Sequence, residues 1–123
     1  MLAILAGYVM PACTQDPSHI AGNITKDITV LQFNEFTLAD PGTVLDVRTK
    51  AEVAKGAIPE SVNIDFYSDT FVSDISKLDK SKPVYVYCAV GGRSSQAMDV
   101  LSKNGFTEVY NLKGGYNAWS TYK

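Results

Sequence analysis

The sequence predicts an α/β domain with a parallel sheet of about five strands and helices on both faces. Short β-rich segments alternate with short helical segments about five times along the chain, which is the pattern of a parallel sheet covered by helices. The segment Val84–Tyr87 is apolar without alternation, as expected for a central strand buried on both sides. A length of 123 residues suits one domain with a core of its own.

The predicted strands are rich in β-branched and aromatic residues and are bounded by turn residues. The turn at Asp40-Pro41-Gly42, for example, separates the first predicted strand from the second. In chain order, the predicted strands are residues 28–33, 43–47, 62–64, 84–87 and 108–112.

Three short helices are predicted in the first part of the domain. Asn34 is expected to cap a helical turn over residues 35–39. Thr49 and Glu52 have the spacing of a capping box, in which each side chain binds a free backbone N–H, and this helix is expected to end at Gly56. Asp69 is expected to cap a third helix, whose apolar face carries Phe71, Ile75 and Leu78.

Two further helices are predicted after the Val84–Tyr87 strand. The first is expected to begin at Ser94 or Ser95 and to stop at Gly105. The second follows the break at Gly114-Gly115, and Tyr116, Trp119 and Tyr122 recur every third residue along it. Tyr116 and Trp119 are expected to pack in the core.

Residues 1–27 are expected to form an arm or signal-like segment and a linker, followed by the domain over 28–123. The first 13 residues are apolar and too short to span a bilayer as a helix, which needs about 20 residues. The context of Cys13 resembles the end of a bacterial lipoprotein signal, although no Lys or Arg precedes Lys26. Two interpretations stay open. Either the protein is exported to the bacterial periplasm or envelope, at a membrane only if Cys13 is lipidated, or it is cytoplasmic and the arm docks on the domain.

Composition and charge exclude several classes of protein. A net charge of −2 and a pI near 5.2 argue against a nucleic-acid or anionic-membrane surface. The two cysteines are too few for a disulfide scaffold and lack metal-ligand spacing. The single histidine, His19, is far from Cys88 in sequence and is expected to be exposed in the linker. No metal site is therefore expected.

Cys88 is the candidate nucleophile. It follows a predicted buried strand and precedes a helix, at the edge of the sheet where α/β proteins bind ligands. Gly91 and Gly92 permit a tight loop whose N–H groups point at the sulfur, while the helix N-terminus and Arg93 add positive charge. Each feature favours the thiolate. The alternative is an inert buried cysteine. Ser94 is expected to cap the helix or to bind the transferred group.

Four sequence blocks resemble the single-domain rhodaneses, the thiosulfate sulfurtransferase family. The match runs from about residue 28 to residue 120, with all four blocks in the family's order. The sequence departs from the family at Ala57, where a histidine is usual, and at Glu60, where a glycine is usual. The matching blocks are Cys88-Ala-Val-Gly91-Gly-Arg93-Ser94, Leu45-Asp46-Val47-Arg48 with Glu52, Gly56-Ala-Ile58-Pro59-Glu-Ser-Val-Asn63-Ile64, and Leu112-Lys-Gly114-Gly115-Tyr116-Asn-Ala-Trp119.

The resemblance implies a rhodanese-like fold and a sulfurtransferase that works through a persulfide on Cys88. The sulfur would come from a small anionic donor such as thiosulfate and pass to cyanide, a thiol or a protein cysteine, without a cofactor. The resemblance further implies that Arg93 binds the donor or the persulfide, and that loop amides form the cradle. The loop residues are Ala89, Val90, Gly91, Gly92, Arg93 and Ser94.

Asp46 and Arg48 are candidates for a supporting role. They would either touch the substrate or hold neighbouring loops through an ion pair.

Three other functions remain to be weighed. A phosphatase or arsenate reductase of the related fold would carry Cys-x5-Arg, whereas Cys88 and Arg93 form Cys-x4-Arg. A non-enzymatic sulfur carrier or redox adaptor would use Cys88 with one dedicated partner. A catalytically inactive scaffold is disfavoured because Cys88, both glycines and Arg93 are present.

Overall fold

The computed structural model describes residues 23–122, which contain a five-stranded sheet with the order β1-β5-β4-β2-β3. All four strand pairings are parallel. The predictions for Cys13, His19 and the apolar arm lie outside the described residues. The elements are β1 (Ile24–Ile28), α1 (Val30–Ala39), β2 (Thr43–Asp46), α2 (Lys50–Val53), β3 (Val62–Asn63), α3 (Phe71–Ile75), β4 (Val84–Tyr87), α4 (Gly92–Lys103), β5 (Glu108–Leu112) and α5 (Gly115–Thr121).

Strand β4 is the central strand, as its unalternating apolar sequence predicted. It pairs with β2 on one side and β5 on the other, and all four of its residues are buried. Successive side chains of a strand point to opposite faces. Val84 and Val86 accordingly belong to one core cluster, while Tyr85 and Tyr87 belong to the other.

The two core clusters place helices on both faces of the sheet. Helices α3 and α4 cover the face of Val84 and Val86, and they contribute Phe71, Ile75 and Leu101 to its core. Helices α1 and α5 cover the opposite face, through side chains that include Phe33 and Trp119. The predicted α/β fold with a parallel sheet is therefore confirmed.

The predicted first strand over 28–33 is wrong. The strand lies earlier, at Ile24–Ile28, and residues 24–27 were assigned to the linker. Helix α1 begins at Val30 because Thr29 and Gln32 form a capping box: the Thr29 side chain accepts from the Gln32 N–H and the Gln32 side chain accepts from the Thr29 N–H. Asn34 is therefore inside α1 and caps nothing.

Two other predicted helix starts are displaced. Thr70, rather than Asp69, is the N-cap residue of α3, and its side chain makes no capping hydrogen bond. Helix α4 begins at Gly92, two residues before the predicted Ser94. The capping box of Thr49 and Glu52 is confirmed, with both of its hydrogen bonds present.

None of the helices formed by residues 23–122 combines the length and the apolar character needed to cross a membrane.

Candidate active site

Cys88 lies directly after β4, at the carboxyl edge of the sheet. Its side chain is a free thiol and the residue is 1% exposed. Because β4 is paired on both sides and fully buried, the sulfur is attached to a firmly held strand. This position was predicted from the apolar run that precedes Cys88.

Two hydrogen-bond donors point at the Cys88 sulfur. The backbone N–H of Gly91 lies 3.1 Å from Sγ, and the hydroxyl of Ser94 donates to Sγ at 3.3 Å. Burial raises the pKa of the thiol, but hydrogen bonds from the Ser94 hydroxyl and from the amides of Ser94, Gly91 and Val90 lower it. The hydrogen bonds outweigh burial, so the pKa of Cys88 lies below its ordinary value.

Gly91 gives the loop its curvature. Its φ of 113° lies in the left-handed region, which residues with a side chain rarely adopt, and it is the N-cap of α4. The predicted capping role of Ser94 is wrong for this reason. Ser94 instead lies in the first turn of α4, fully buried, where its hydroxyl reaches Cys88.

The amino end of α5 holds the loop from the other side. The Tyr116 N–H donates to the carbonyl oxygen of Cys88 at 2.8 Å, and the Asn117 N–H donates to that of Ala89 at 3.0 Å. With these carbonyl groups fixed on α5, the next N–H groups of the loop are left to face the sulfur.

Asn111 supports the loop from β5 and was not predicted as a site residue. Its amide donates to Asp27 at 3.0 Å and lies 3.5 Å from the carbonyl oxygen of Gly91. The residue is 3% exposed, and its Oδ1 has no hydrogen-bond partner among the described residues. Asp27 and Asn111 are paired across two neighbouring strands, which a local sequence pattern does not reveal.

Arg93 is paired with Glu52. Its two terminal nitrogens donate to the two carboxylate oxygens at 2.8 and 2.9 Å, and the pair is partly exposed. Hydrogen bonding to Arg93 is the main reason that the pKa of Glu52 falls to about 2. The sequence predicts a capping box at Glu52 but not its pairing with Arg93, which lies 41 residues away.

Asp46 and Arg48 form a buried ion pair. The guanidinium of Arg48 donates to both carboxylate oxygens, with a shortest distance of 2.7 Å, and it donates to the carbonyl oxygen of Gly56 at 2.8 Å. It also lies 4.4 Å from the ring centroid of Tyr116. These contacts connect the segment after β2 with Gly56 and α5. Of the two roles considered, the arrangement favours loop support.

The two residues that follow Cys88 are uncharged. Val90 is 66% exposed, while Ala89 is partly buried. Neither Ala89 nor Val90 adds a cation to the loop.

The arrangement combines a nucleophile with an anion-binding loop. The inward N–H groups next to a helix N-terminus favour negative charge at the buried Cys88 sulfur. Among residues 23–122, no three His, Cys, Asp or Glu side chains lie together in a way that would hold a metal ion.

Comparisons with known proteins show the family of this domain. A sequence model of the rhodanese-like domain matches residues 32–122. A sulfurtransferase from Allochromatium vinosum is 38% identical over 87 residues, which cover 69% of this chain and 79% of that protein. The thiosulfate sulfurtransferase GlpE of Pseudomonas savastanoi pv. phaseolicola is 39% identical over 88 residues, covering 69% of this chain and 80% of the relative.

Solved structures give the same result at the level of the fold. The crystal structure of a rhodanese-like domain protein from Staphylococcus aureus superposes with a TM-score of 0.68 at 34% sequence identity. The alignment covers 76% of this chain and 90% of the staphylococcal chain.

Proposed function

The chain belongs to the rhodanese-like sulfurtransferase family, and on this premise we propose that it transfers sulfane sulfur through a persulfide on Cys88. The observation that carries the proposal is the pair of donors at the sulfur. The Gly91 N–H and the Ser94 hydroxyl both point at Sγ, and they stabilise a charged sulfur there. A persulfide is also an anion, so the amides of the loop over 89–94 would hold the loaded form in the same way.

The proposed cycle has two substitution steps. In the first, the Cys88 thiolate attacks the outer sulfur of thiosulfate, the sulfur–sulfur bond of the donor breaks, and sulfite leaves with the electron pair. In the second, an acceptor such as cyanide or a thiolate attacks the outer sulfur of the persulfide, and the Cys88 thiolate is regenerated. No net oxidation and no cofactor is required. Each step uses the same sulfur position, which is typical of a ping-pong reaction.

The identity of the donor and acceptor is the finer part of the proposal. Thiosulfate or a similar anionic donor is proposed because relatives such as GlpE are named thiosulfate sulfurtransferases. Cyanide, a small thiol or a protein cysteine would each serve as acceptor, because each is a nucleophile that attacks sulfur.

The intact mass of the protein tests this proposal. Wild type and Cys88→Ser are exposed to thiosulfate, and a second sample of each is then treated with cyanide. The proposal requires wild type to gain one sulfur atom, cyanide to remove it with formation of thiocyanate, and Cys88→Ser to gain nothing. A wild type that gains no sulfur from thiosulfate or any other sulfane donor would overturn it.

The exposed side chain of Val90 favours one second candidate, a sulfur carrier that serves a dedicated protein partner. At 66% exposure, Val90 presents apolar surface beside Cys88, which suits contact with another protein better than contact with a small anion. A carrier would load with sulfur and yet turn over slowly with cyanide or small thiols. Steady-state turnover therefore separates the two candidates.

A further inference from the structure

We propose that Glu52 determines which sulfur donors the site accepts, favouring singly charged donors over the thiosulfate dianion. Suitable donors are an organic thiosulfonate or a persulfide. The proposal rests on the sulfur-transfer function proposed above and concerns its donor specificity.

The first observation is that Glu52 occupies the charged end of Arg93. Both terminal nitrogens of the guanidinium donate to the carboxylate, at 2.8 and 2.9 Å. Such two-point pairing uses the geometry by which arginine would otherwise bind a sulfonate or sulfite group. A donor that binds Arg93 in this way must therefore displace Glu52 from Arg93 or share Arg93 with it.

The second observation is that Glu52 is held in place by its own helix. Its carboxylate accepts from the N–H and the hydroxyl of Thr49, at 3.1 and 3.0 Å, in the capping box of α2. The carboxylate is therefore fixed before Arg93 approaches, and moving it away would break the cap. With a pKa near 2, it remains charged at the pH of any ordinary assay.

The third observation concerns the balance of charge at the site. Arg93 is matched by Glu52, and Arg48 is matched by buried Asp46. The side chains of Ala89 and Val90 carry no charge. The positive potential that remains comes from backbone N–H groups and the N-terminus of α4, which is equivalent to about half an elementary charge. One negative charge on the donor matches this potential better than two.

The variant Glu52→Gln tests the proposal with little change in structure. Glutamine also occupies the third position of capping boxes, so α2 retains its cap. Loss of the carboxylate leaves the charge of Arg93 unmatched near Cys88.

The donors are thiosulfate and methanethiosulfonate. Both offer an outer sulfur bonded to an oxidised sulfur atom, but thiosulfate carries two negative charges and methanethiosulfonate carries one. The measurement is kcat/KM for each donor at neutral pH and low salt. Removing a charge of the same sign a few ångströms from the donor is expected to raise the value for thiosulfate about tenfold, and the value for methanethiosulfonate less than threefold. The difference between the rise for thiosulfate and the rise for methanethiosulfonate is expected to shrink as salt is added.

The matched control is Glu35→Gln, which removes one carboxylate from the exposed surface of α1. It is expected to leave the ratio of kcat/KM for thiosulfate to kcat/KM for methanethiosulfonate unchanged. An unchanged ratio in Glu52→Gln, or an equal rise for both donors, would overturn the proposal while the sulfur-transfer function stands. Failure of wild type to take sulfur from either donor would overturn both proposals.

Discussion

A Cβ atom on Gly115 would lie 2.5 Å from the carbonyl oxygen of Cys88. The same atom would lie 2.6 Å from the carbonyl group of Ala89, so the start of α5 touches the backbone of the active loop. The φ of Gly115, 59°, is also one that favours glycine. The close approach allows the Tyr116 N–H to bind the Cys88 carbonyl oxygen, and it fixes the direction of the loop.

Gly115→Ala is therefore expected to displace the loop and to lower both stability and reactivity. The backbone of the loop cannot move away without breaking the hydrogen bonds from α5. A loss of about 1 to 3 kcal/mol in the free energy of unfolding is expected, together with slower alkylation of Cys88 at neutral pH. Urea unfolding and iodoacetamide kinetics measure the two effects.

Gly92→Ala is the control for the stability effect, because a Cβ there meets nothing within 4 Å. Its free energy of unfolding is expected to equal or exceed that of wild type, since alanine is the better helix residue. Equal stability of Gly115→Ala and Gly92→Ala would show that the close approach at Gly115 is unimportant.

Asp46→Asn is expected to be strongly destabilising. Arg48 is 4% exposed and Asp46 is fully buried, so the substitution leaves a buried guanidinium without its counter-charge. Breaking one side of a buried pair typically costs about 3 to 5 kcal/mol. The free energy of unfolding in urea gives the cost. Lys77→Gln, which breaks the exposed pair of Lys77 and Asp74, is the control and should cost less than about 1 kcal/mol. Comparable costs for the two variants would argue against a supporting role for Asp46.

Glu60→Gly is expected to stabilise the protein. Glu60 has a φ of 67°, in the left-handed region, and it stands where the resembled family usually has glycine. Removing the side chain relieves strain of about 1 to 2 kcal/mol, of which the greater freedom of glycine in the unfolded chain offsets a part. A net gain of about 0.5 to 1 kcal/mol is expected from urea unfolding. Glu35→Gly, inside α1, is the opposite control and should lose about 1 kcal/mol. Destabilisation of Glu60→Gly would mean that the side chain makes a compensating contact.

The elements that local sequence patterns specify were predicted correctly. The apolar β4, the capping box at Thr49 and the last strand are local patterns, and the structure confirms them. Strand β1 is different. Four of its five residues are exposed, and it is a strand because it pairs with β5, more than eighty residues later. The run over residues 28–33 is more apolar than β1 and so resembles a strand, but Thr29 and Gln32 have the spacing of a capping box and start a helix.

The site shows the same division. The position of Cys88 and the tight turn at Gly91 follow from adjacent residues, and both were predicted. The pairing of Arg93 with Glu52 and the contact of α5 with the loop join distant parts of the chain. Sequence order alone does not specify them. The direction of the Ser94 side chain depends on where α4 begins. The helix was predicted to begin at Ser94, which would make Ser94 its cap. Because it begins at Gly92, Ser94 lies in the first turn and contacts the Cys88 sulfur instead.

Ser94→Ala is expected to make Cys88 less acidic. The Ser94 hydroxyl donates to Sγ at 3.3 Å and is the largest of the contributions that lower the pKa of Cys88. Loss of one such hydrogen bond, about 1 kcal/mol, should raise the midpoint of the pH–alkylation profile by about 0.7 pH unit. The expected result is slower labelling near neutral pH and an equal or faster limiting rate at high pH, because a more basic thiolate is the better nucleophile. Ser95 is exposed on the same turn, so Ser95→Ala should leave the midpoint unchanged. If the Ser94→Ala midpoint stays at the wild-type value, the backbone N–H groups alone hold the thiolate.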